Sequence, residues 1–368
     1  MLGIYIHFPF CEKKCNYCAF ASFANLNEQD NYVTHLINEI DNFCSSHQQE
    51  NMIEVDTIYI GGGTPSLISE KNLTRLINKL KNKFKIEKKC EITIECNPNS
   101  VTMQKLQLYK EIGINRISFG VQSLNDDELK FLGRLHCAQQ AIETIKMAQA
   151  VGFDNISCDL IIGAKGQDEE SFLQSVKKLV DLGVEHLSCY MLQVEEGTPL
   201  KKMVESNADL LPSDDECVNI YSQAINCLTK EGYSQYEVSN FAKNGKISKH
   251  NYKYWTGENY VGFGLGAHSY INNTRIANAS TFEEYYKGMA EKEVLNKTQL
   301  IEEHIMLGLR CSNGVSLSHL KNLGYDIEKN DNLKPFLEQG ILTSQGDKIF
   351  INPAFYGVCN YVIVKLLP

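Results

Sequence analysis

Six short β-rich runs alternate along the first half of the chain with stretches whose apolar residues recur at helical spacing. The runs are Leu2–Phe8, Asp56–Ile60, Glu91–Glu95, Arg116–Gly120, Asn155–Leu160 and His186–Met191. Tyr32–Phe43, Leu73–Phe84, Ala138–Val151 and Phe172–Leu182 carry the helical pattern, and Gly113, Gly152 and Gly183 mark the turns back to the next strand. Such alternation predicts an α/β fold built on a parallel sheet. Six βα units are fewer than a closed eight-fold barrel requires, so the expectation is a partial (β/α)6 barrel with an open side.

The residues just past each run are chemically unusual. After the first comes Cys11-x-x-x-Cys15-x-x-Cys18; after the second, Gly61-Gly62-Gly63-Thr64-Pro65; after the third, Cys96-Asn97-Pro98. The fourth leads into Val121-Gln122-Ser123 and the fifth into Ile161-Ile162-Gly163. Parallel α/β sheets place their sites at the C-terminal ends of strands, so these segments belong to one site.

Composition limits the chemistry. Lys and Arg number 36 against 45 Asp and Glu, a net charge of −9, which disfavours a nucleic-acid partner. Thirteen cysteines are scattered from Cys11 to Cys359, and MLGIYIHFPF lacks the charged start of a secretion signal, reading instead as a buried strand. No segment reaches the ~18–20 apolar residues of a membrane span. The expectation is a cytoplasmic protein with reduced thiols, whose clustered cysteines hold metal rather than form disulfides.

Three thiolates within eight residues, on a loop leaving a strand, are one short of the four that usually hold an iron–sulfur cubane. One iron then keeps an open position, as the metal of a catalytic zinc site does. S-adenosylmethionine (SAM) fits that position through its amino and carboxylate groups, and one electron into its sulfonium cleaves a carbon–sulfur bond. Zinc is the alternative, but the downstream sequence has no fourth ligand at zinc spacing. The triple glycine lets backbone approach a ligand and offers peptide groups to it, and without a lysine it is no nucleoside triphosphate loop. Glu95 and Asp159 are candidates for the ammonium and ribose, and Arg134 for a carboxylate. Taken singly, Glu95 reads better as a cap, Asp159 as a buried partner of backbone amides and Arg134 as a surface residue; together, at the ends of successive strands, they read as a site.

Past Met191 the pattern changes. Pro212-Ser213-Asp214-Asp215 starts a capped helix to about Glu231, and Tyr233–Phe241 reads as strand and turn. From about Leu295, three short helices (Gln299–Leu309, Leu317–Leu323, Leu333–Gln339) and a strand Lys348–Ile351 suggest a winged-helix-like unit. The expected division is 1–210, 211–294 and 295–368. The basic run Lys79–Lys89 reads as the solvated end of a helix. Gly262-x-Gly264-x-Gly266 reads as a tight turn near the barrel mouth, with His268 structural.

These residues together resemble the radical SAM family of oxygen-independent coproporphyrinogen III oxidases and their relatives. The resemblance runs through Tyr5-Ile6-His7-Phe8-Pro9-Phe10-Cys11, the Gly61–Pro65 segment, Glu95–Pro98, Gly120–Ser123, Leu132-Gly133-Arg134, Ser157–Gly163, Glu196–Leu200 and Leu307–Arg310. It implies a 4Fe–4S cluster on Cys11, Cys15 and Cys18, and a SAM pocket lined by Tyr5, Gly62, Gly63, Thr64, Glu95, Gln122, Arg134 and Asp159. The decarboxylating oxidases have a further cysteine two residues past the third and an N-terminal extension. This chain has Phe20 there and ten residues before Cys11. It carries instead His250-Asn251-Tyr252-Lys253-Tyr254-Trp255, the H-N-x-x-Y-W signature of the family's heme chaperone branch. An imidazole can ligate heme iron, and Tyr252, Tyr254 and Trp255 offer flat apolar surface. The resemblance implies a carrier with His250 as heme ligand, an electron donor, heme-acceptor proteins such as membrane-bound respiratory enzymes, and room for a homodimer. The oxidase activity itself stands as the alternative.

Overall fold

A computed structural model describes residues 1–47 and 52–368. The chain lays down β1 (Leu2–Phe8), α1 (Gln29–Ser46), β2 (Glu54–Gly62), α2 (Glu70–Lys83), β3 (Lys85–Cys96), α3 (Met103–Glu111) and β4 (Arg116–Gln122). It continues with α4 (Asp126–Leu132), α5 (Ala138–Val151), β5 (Ile156–Ile162), α6 (Glu169–Asp181) and β6 (His186–Met191). The parallel α/β architecture predicted from the sequence is present, and every predicted run falls on a strand. The basic run divides differently: α2 ends at Lys83 and Lys85–Lys89 already belong to β3, while Lys79 and Lys83 both pair with Asp41.

Strands β1 to β6 are neighbours in sequence order and run parallel. Period-two alternation sorts their side chains. Ile4, Ile6, Ile58, Ile60, Ile94 and Ile117 face the helices and are wholly buried, each contributing about 1.5–3 kcal/mol. The other face presents a polar layer, with Tyr5, Tyr59, Thr93 and Arg116 in successive register.

Residues after β6 complete the sheet from both sides. Helices α7 (Pro199–Ser206) and α8 (Asp214–Lys230) lead to the short strands β7 (Ser234–Gln235) and β8 (Asn240–Ala242), which continue the edge beyond β6. Ser213 caps α8 in a box with Glu216. Helix α9 (Lys249–Thr256) precedes β9 (Tyr260–Phe263), which adds a seventh parallel strand beside β1. Gly262 therefore lies in a strand, where a Cβ would strike the backbone of His268. The turn itself starts at Gly264, whose φ of +106° suits glycine. Strands β10 (His268–Ile271), β11 (Thr274–Asn278) and, after helix α10 (Phe282–Tyr286), β12 (Ala290–Val294) extend that edge antiparallel.

The C-terminal part holds α11 (Lys297–Gly308), β13 (Val315–Ser316), α12 (Leu317–Leu323), α13 (Leu333–Glu338), β14 (Leu342–Gln345), β15 (Lys348–Ile351) and α14 (Cys359–Leu366). Three helices and a β13-β15-β14 sheet match the winged-helix-like expectation, with α14 added after the hairpin. Backbone bonds from Val238 N–H to Arg310 and from Ser312 N–H to Tyr236 tie this part to the barrel.

Candidate functional site

The three motif cysteines sit together on the loop after β1, all partly exposed and none in a disulfide. Two anchors fix that loop. Cys11 N–H bonds Phe23 O, and Asn16 reaches α4 through its backbone N–H to Leu132 O and its side chain to Phe131 O at 2.7 Å. Leu132, Ile161 and Ala164 form a small apolar cluster that backs Tyr17.

The thiols lie within electrostatic reach of one another: burial, then the neighbouring Cys15 and Cys11, push the Cys18 thiol up. Thr64 Oγ1 donates to Cys11 Sγ at 3.5 Å and Arg134 Nη1 to Cys15 Sγ at 3.3 Å. A side chain on Gly63 would meet Cys11 Sγ and Phe10 O, so that glycine is a packing requirement. Thiolates backed by a guanidinium and a hydroxyl suit an anionic iron–sulfur core. Among the described residues no three His, Cys, Asp or Glu side chains converge on a single metal ion.

Around this loop the strand ends bring the expected residues together. Glu95 is partly buried, accepts from Tyr59 Oη at 2.8 Å and from Gly62 N–H at 3.1 Å, and its carboxyl is pushed up to about 7, chiefly by loss of solvent. Asp159 lies two strands away on β5, with Ser118 of β4 between; burial raises its carboxyl too, against the hydroxyls of Ser188 and Ser118. Arg134, expected to meet a ligand carboxylate, is instead locked by Asn97 Oδ1 at 2.6 Å and Gly120 O at 2.7 Å as well as by Cys15. Gln122 holds a φ of +67° at a register break in β4, and its Nε2 lies over Gly120 beside the Arg134 guanidinium. That backbone conformation is rare for a side-chain-bearing residue and typical of sites.

One further expectation changes. The N–H groups of Gly62, Gly63 and Thr64 are already committed, to Glu95, Phe8 O and Phe10 O, so the glycine loop offers a ligand close approach rather than those donors. Tyr5 connects to the cysteine loop through a relay. Its hydroxyl bonds His7 Nδ1 at 3.0 Å, and His7 Nε2 in turn reaches Ala21 O at 3.1 Å.

His250 lies deeper in the barrel. It is wholly buried, with Nδ1 2.9 Å from Thr57 Oγ1 and Nε2 2.9 Å from Tyr254 Oη. Its N–H donates to Glu91, and its ring stacks on Tyr59 at 5.4 Å and Tyr5 at 6.4 Å. Burial and then Lys253 lower its imidazole to about 3. As folded, it has no free nitrogen for a heme iron. Tyr252, Tyr254 and Trp255 are half-buried rather than a common exposed face; Tyr254 packs edge-on against Tyr260 and Tyr252 against Tyr236.

Asn97 and Asn16 organise the site; the sequence marked Asn97 only as part of Cys96-Asn97-Pro98, with no role, and did not mark Asn16. Asn97 links Arg134 to Thr64, and both line a small cleft with Glu12, Cys15 and Gly133. A lone asparagine after a strand carries no pattern to find it by.

Comparison with known proteins places this arrangement. Residues 5–179 match the radical SAM superfamily and residues 295–354 the HemN C-terminal domain. Over 326 residues the chain is 38% identical to the heme chaperone HemW of Bacillus subtilis (strain 168), covering 86% of this chain and 85% of that one. The chain belongs to the HemW family of radical SAM proteins. The HemW of Escherichia coli (strain K12) is 39% identical over 272 residues, covering 73% of this chain and 70% of that protein. A structure of coproporphyrinogen III oxidase (HemN) from Escherichia coli superposes with a TM-score of 0.85 over all of this chain and 90% of its own, at 21% identity. HemW and HemN thus share a fold, and the closer sequence kinship is with HemW. Membership of the radical SAM superfamily implies an iron–sulfur cluster and SAM. No helix among the described residues is long and apolar enough to cross a membrane.

Proposed function

We propose that this protein carries heme and delivers it to acceptor proteins such as membrane-bound respiratory enzymes. In this reading it works in the cytoplasm, peripheral to the membrane, with Cys11, Cys15 and Cys18 holding a 4Fe–4S cluster. The observation that carries this is identity to heme chaperones of 38–39% along most of the chain. Phe20, exposed where the decarboxylating oxidases have their further cysteine, supports it.

When bound, a cluster with three cysteine ligands supplies an open iron position for SAM and an electron for its sulfonium. The chain's own residues do the rest. Arg134 neutralises the loop's thiolate charge and is held in place by Asn97 and Gly120. Glu95, oriented by Tyr59 and Gly62, accepts from the SAM ammonium or a ribose hydroxyl. Tyr5, Thr64, Gln122 and Asp159 complete the pocket, and Gly62 and Gly63 let it close on the ligand. His250 serves as heme ligand in a state where Nε2 has left Tyr254, which requires α9 to move. Residues 1–210 form the SAM unit, 211–294 carry the His250 motif, and 295–368 act as a docking accessory. An electron donor and a second copy of the chain complete the assembly.

One oxygen-free sample with cluster and SAM tests this. Stoichiometric heme uptake and transfer, without conversion of coproporphyrinogen III to protoporphyrinogen, is the expected result. Catalytic formation of protoporphyrinogen overturns it in favour of the oxidase.

A further inference from the structure

The buried setting of His250 leaves open where heme first meets the folded chain. The barrel floor, at the N-terminal ends of the strands, carries a large groove of about 1100 Å³, just above the roughly 300–1,000 Å³ scale of small-molecule sites. It runs between the C-terminal ends of α1 and α2 and the first residues of β1 and β2. Phe43, Ile53 and Phe84 give it apolar walls; His47, Met52 and Lys85 also line it. Leu2 belongs to the same lining, and a Cβ on the next residue, Gly3, would come within 3.2 Å of His250 Cε1. The groove therefore opens at the end of the barrel that holds His250.

His47 is set up as an iron ligand. It is exposed, stacked on Phe43 with ring centroids 4.3 Å apart, and its Nδ1 lies 2.9 Å from Phe43 O. Nδ1 is engaged by Phe43 O and, at 3.1 Å, by Ser46 Oγ, which leaves Nε2 as the nitrogen to bind iron. A backbone carbonyl on the far nitrogen is the usual way a metal-binding imidazole is oriented and made more basic. Among the described residues Nε2 has no hydrogen-bond partner. Met52, half-exposed, brings a thioether to the same groove. Lys85 is held only by an exposed pair with Glu54 at 2.6 Å, a contact that solvent screens and that a carboxylate can replace.

A large groove with apolar walls and a polar rim that includes Lys81, Asn259 and Asn272, together with an imidazole, a thioether and an exchangeable cation, fits one ligand class: an iron porphyrin with free propionates. We propose that this groove is the docking site for heme on the closed protein, with His47 Nε2 as iron ligand and Lys85 on a propionate. The inference rests on the heme-carrier reading. Heme would sit here before α9 opens and His250 becomes accessible.

Titration of the full chain with ferric heme tests it. His47→Ala should weaken 1:1 binding at least tenfold and remove the histidine-ligated Soret and visible bands. Thermal melting should stay unchanged because His47 is exposed. His250→Ala, which removes the later ligand, should abolish only the slow second step of uptake. Lys85→Glu should weaken ferric heme several-fold while leaving heme dimethyl ester unaffected; equal effects on the two overturn the propionate contact. Wild-type affinity and spectrum in His47→Ala, with loss in His250→Ala, overturn the groove and leave the carrier function intact. No heme binding by the wild-type chain refutes the carrier function instead.

Discussion

Tyr59 joins the two ends of the barrel interior: its ring stacks on His250 at 5.4 Å, and its hydroxyl donates to Glu95 at 2.8 Å. The residue singled out for heme is thus one side chain from the carboxylate assigned to SAM. A hydrogen bond to a charged group contributes about 1.5–3 kcal/mol, and 1.4 kcal/mol is tenfold in affinity. Tyr59→Phe should therefore weaken SAM binding about tenfold on the cluster-loaded protein, read by equilibrium binding. Unchanged affinity would remove Glu95 from the pocket.

Gly62 has a φ of +116°, and a Cβ there would meet the His7 ring at 2.7 Å. Gly62→Ala should cost more than about 1 kcal/mol of stability, because an L side chain neither adopts that backbone nor fits the space. Denaturant unfolding checks this. The same variant should also loosen SAM binding by shifting the N–H that orients Glu95.

The buried imidazole of His250 makes a pH prediction. Folded, it stays neutral down to about 3, whereas in the unfolded chain it protonates near its ordinary 6.5. Between those values the unfolded state binds the extra proton. Its contribution is complete above pH 6.5 and falls as pH drops toward 3, by up to about 1.4 kcal/mol per pH unit. Other buried histidines, among them His136 and His186, act in the same direction. The His250 share is the difference in slope between wild type and His250→Asn over pH 7.5 to 5. Identical slopes would contradict the burial described.

Heme ligation by His250 requires its release from Tyr254. Tyr254→Phe removes that partner while keeping the ring that packs against Tyr260. It should speed the slow phase of heme uptake in stopped-flow mixing, without a large loss of stability. A slower phase would mean that Tyr254 assists ligation rather than guarding the nitrogen.

The strands and the cysteine loop were legible because period-two runs and the Cys spacing are local signals. Placement of Glu95, Asp159, Gln122 and Arg134 at one end of the sheet came from strand order alone. The depth of His250 was not legible. An eight-residue helix bearing His, Lys and three aromatics reads as a surface element, and only the paired register of Thr57 and Glu91 shows that it closes the barrel from within. Strand β9 was hidden for a related reason. Gly262 looks like a turn residue in sequence, yet its missing side chain is what lets two backbones meet. Asn97 and Asn16 act through a few hydrogen bonds across long sequence separations, and such contacts leave no periodic trace.

Reconstitution of the full chain with iron and sulfide under exclusion of oxygen, then reduction and electron paramagnetic resonance with and without SAM, tests the central assignment most directly. The predicted result is a reduced-cubane signal that shifts on SAM addition and vanishes in Cys15→Ala. A signal that ignores SAM, or that survives loss of Cys15, would contradict a three-cysteine cluster with one iron open to the ligand.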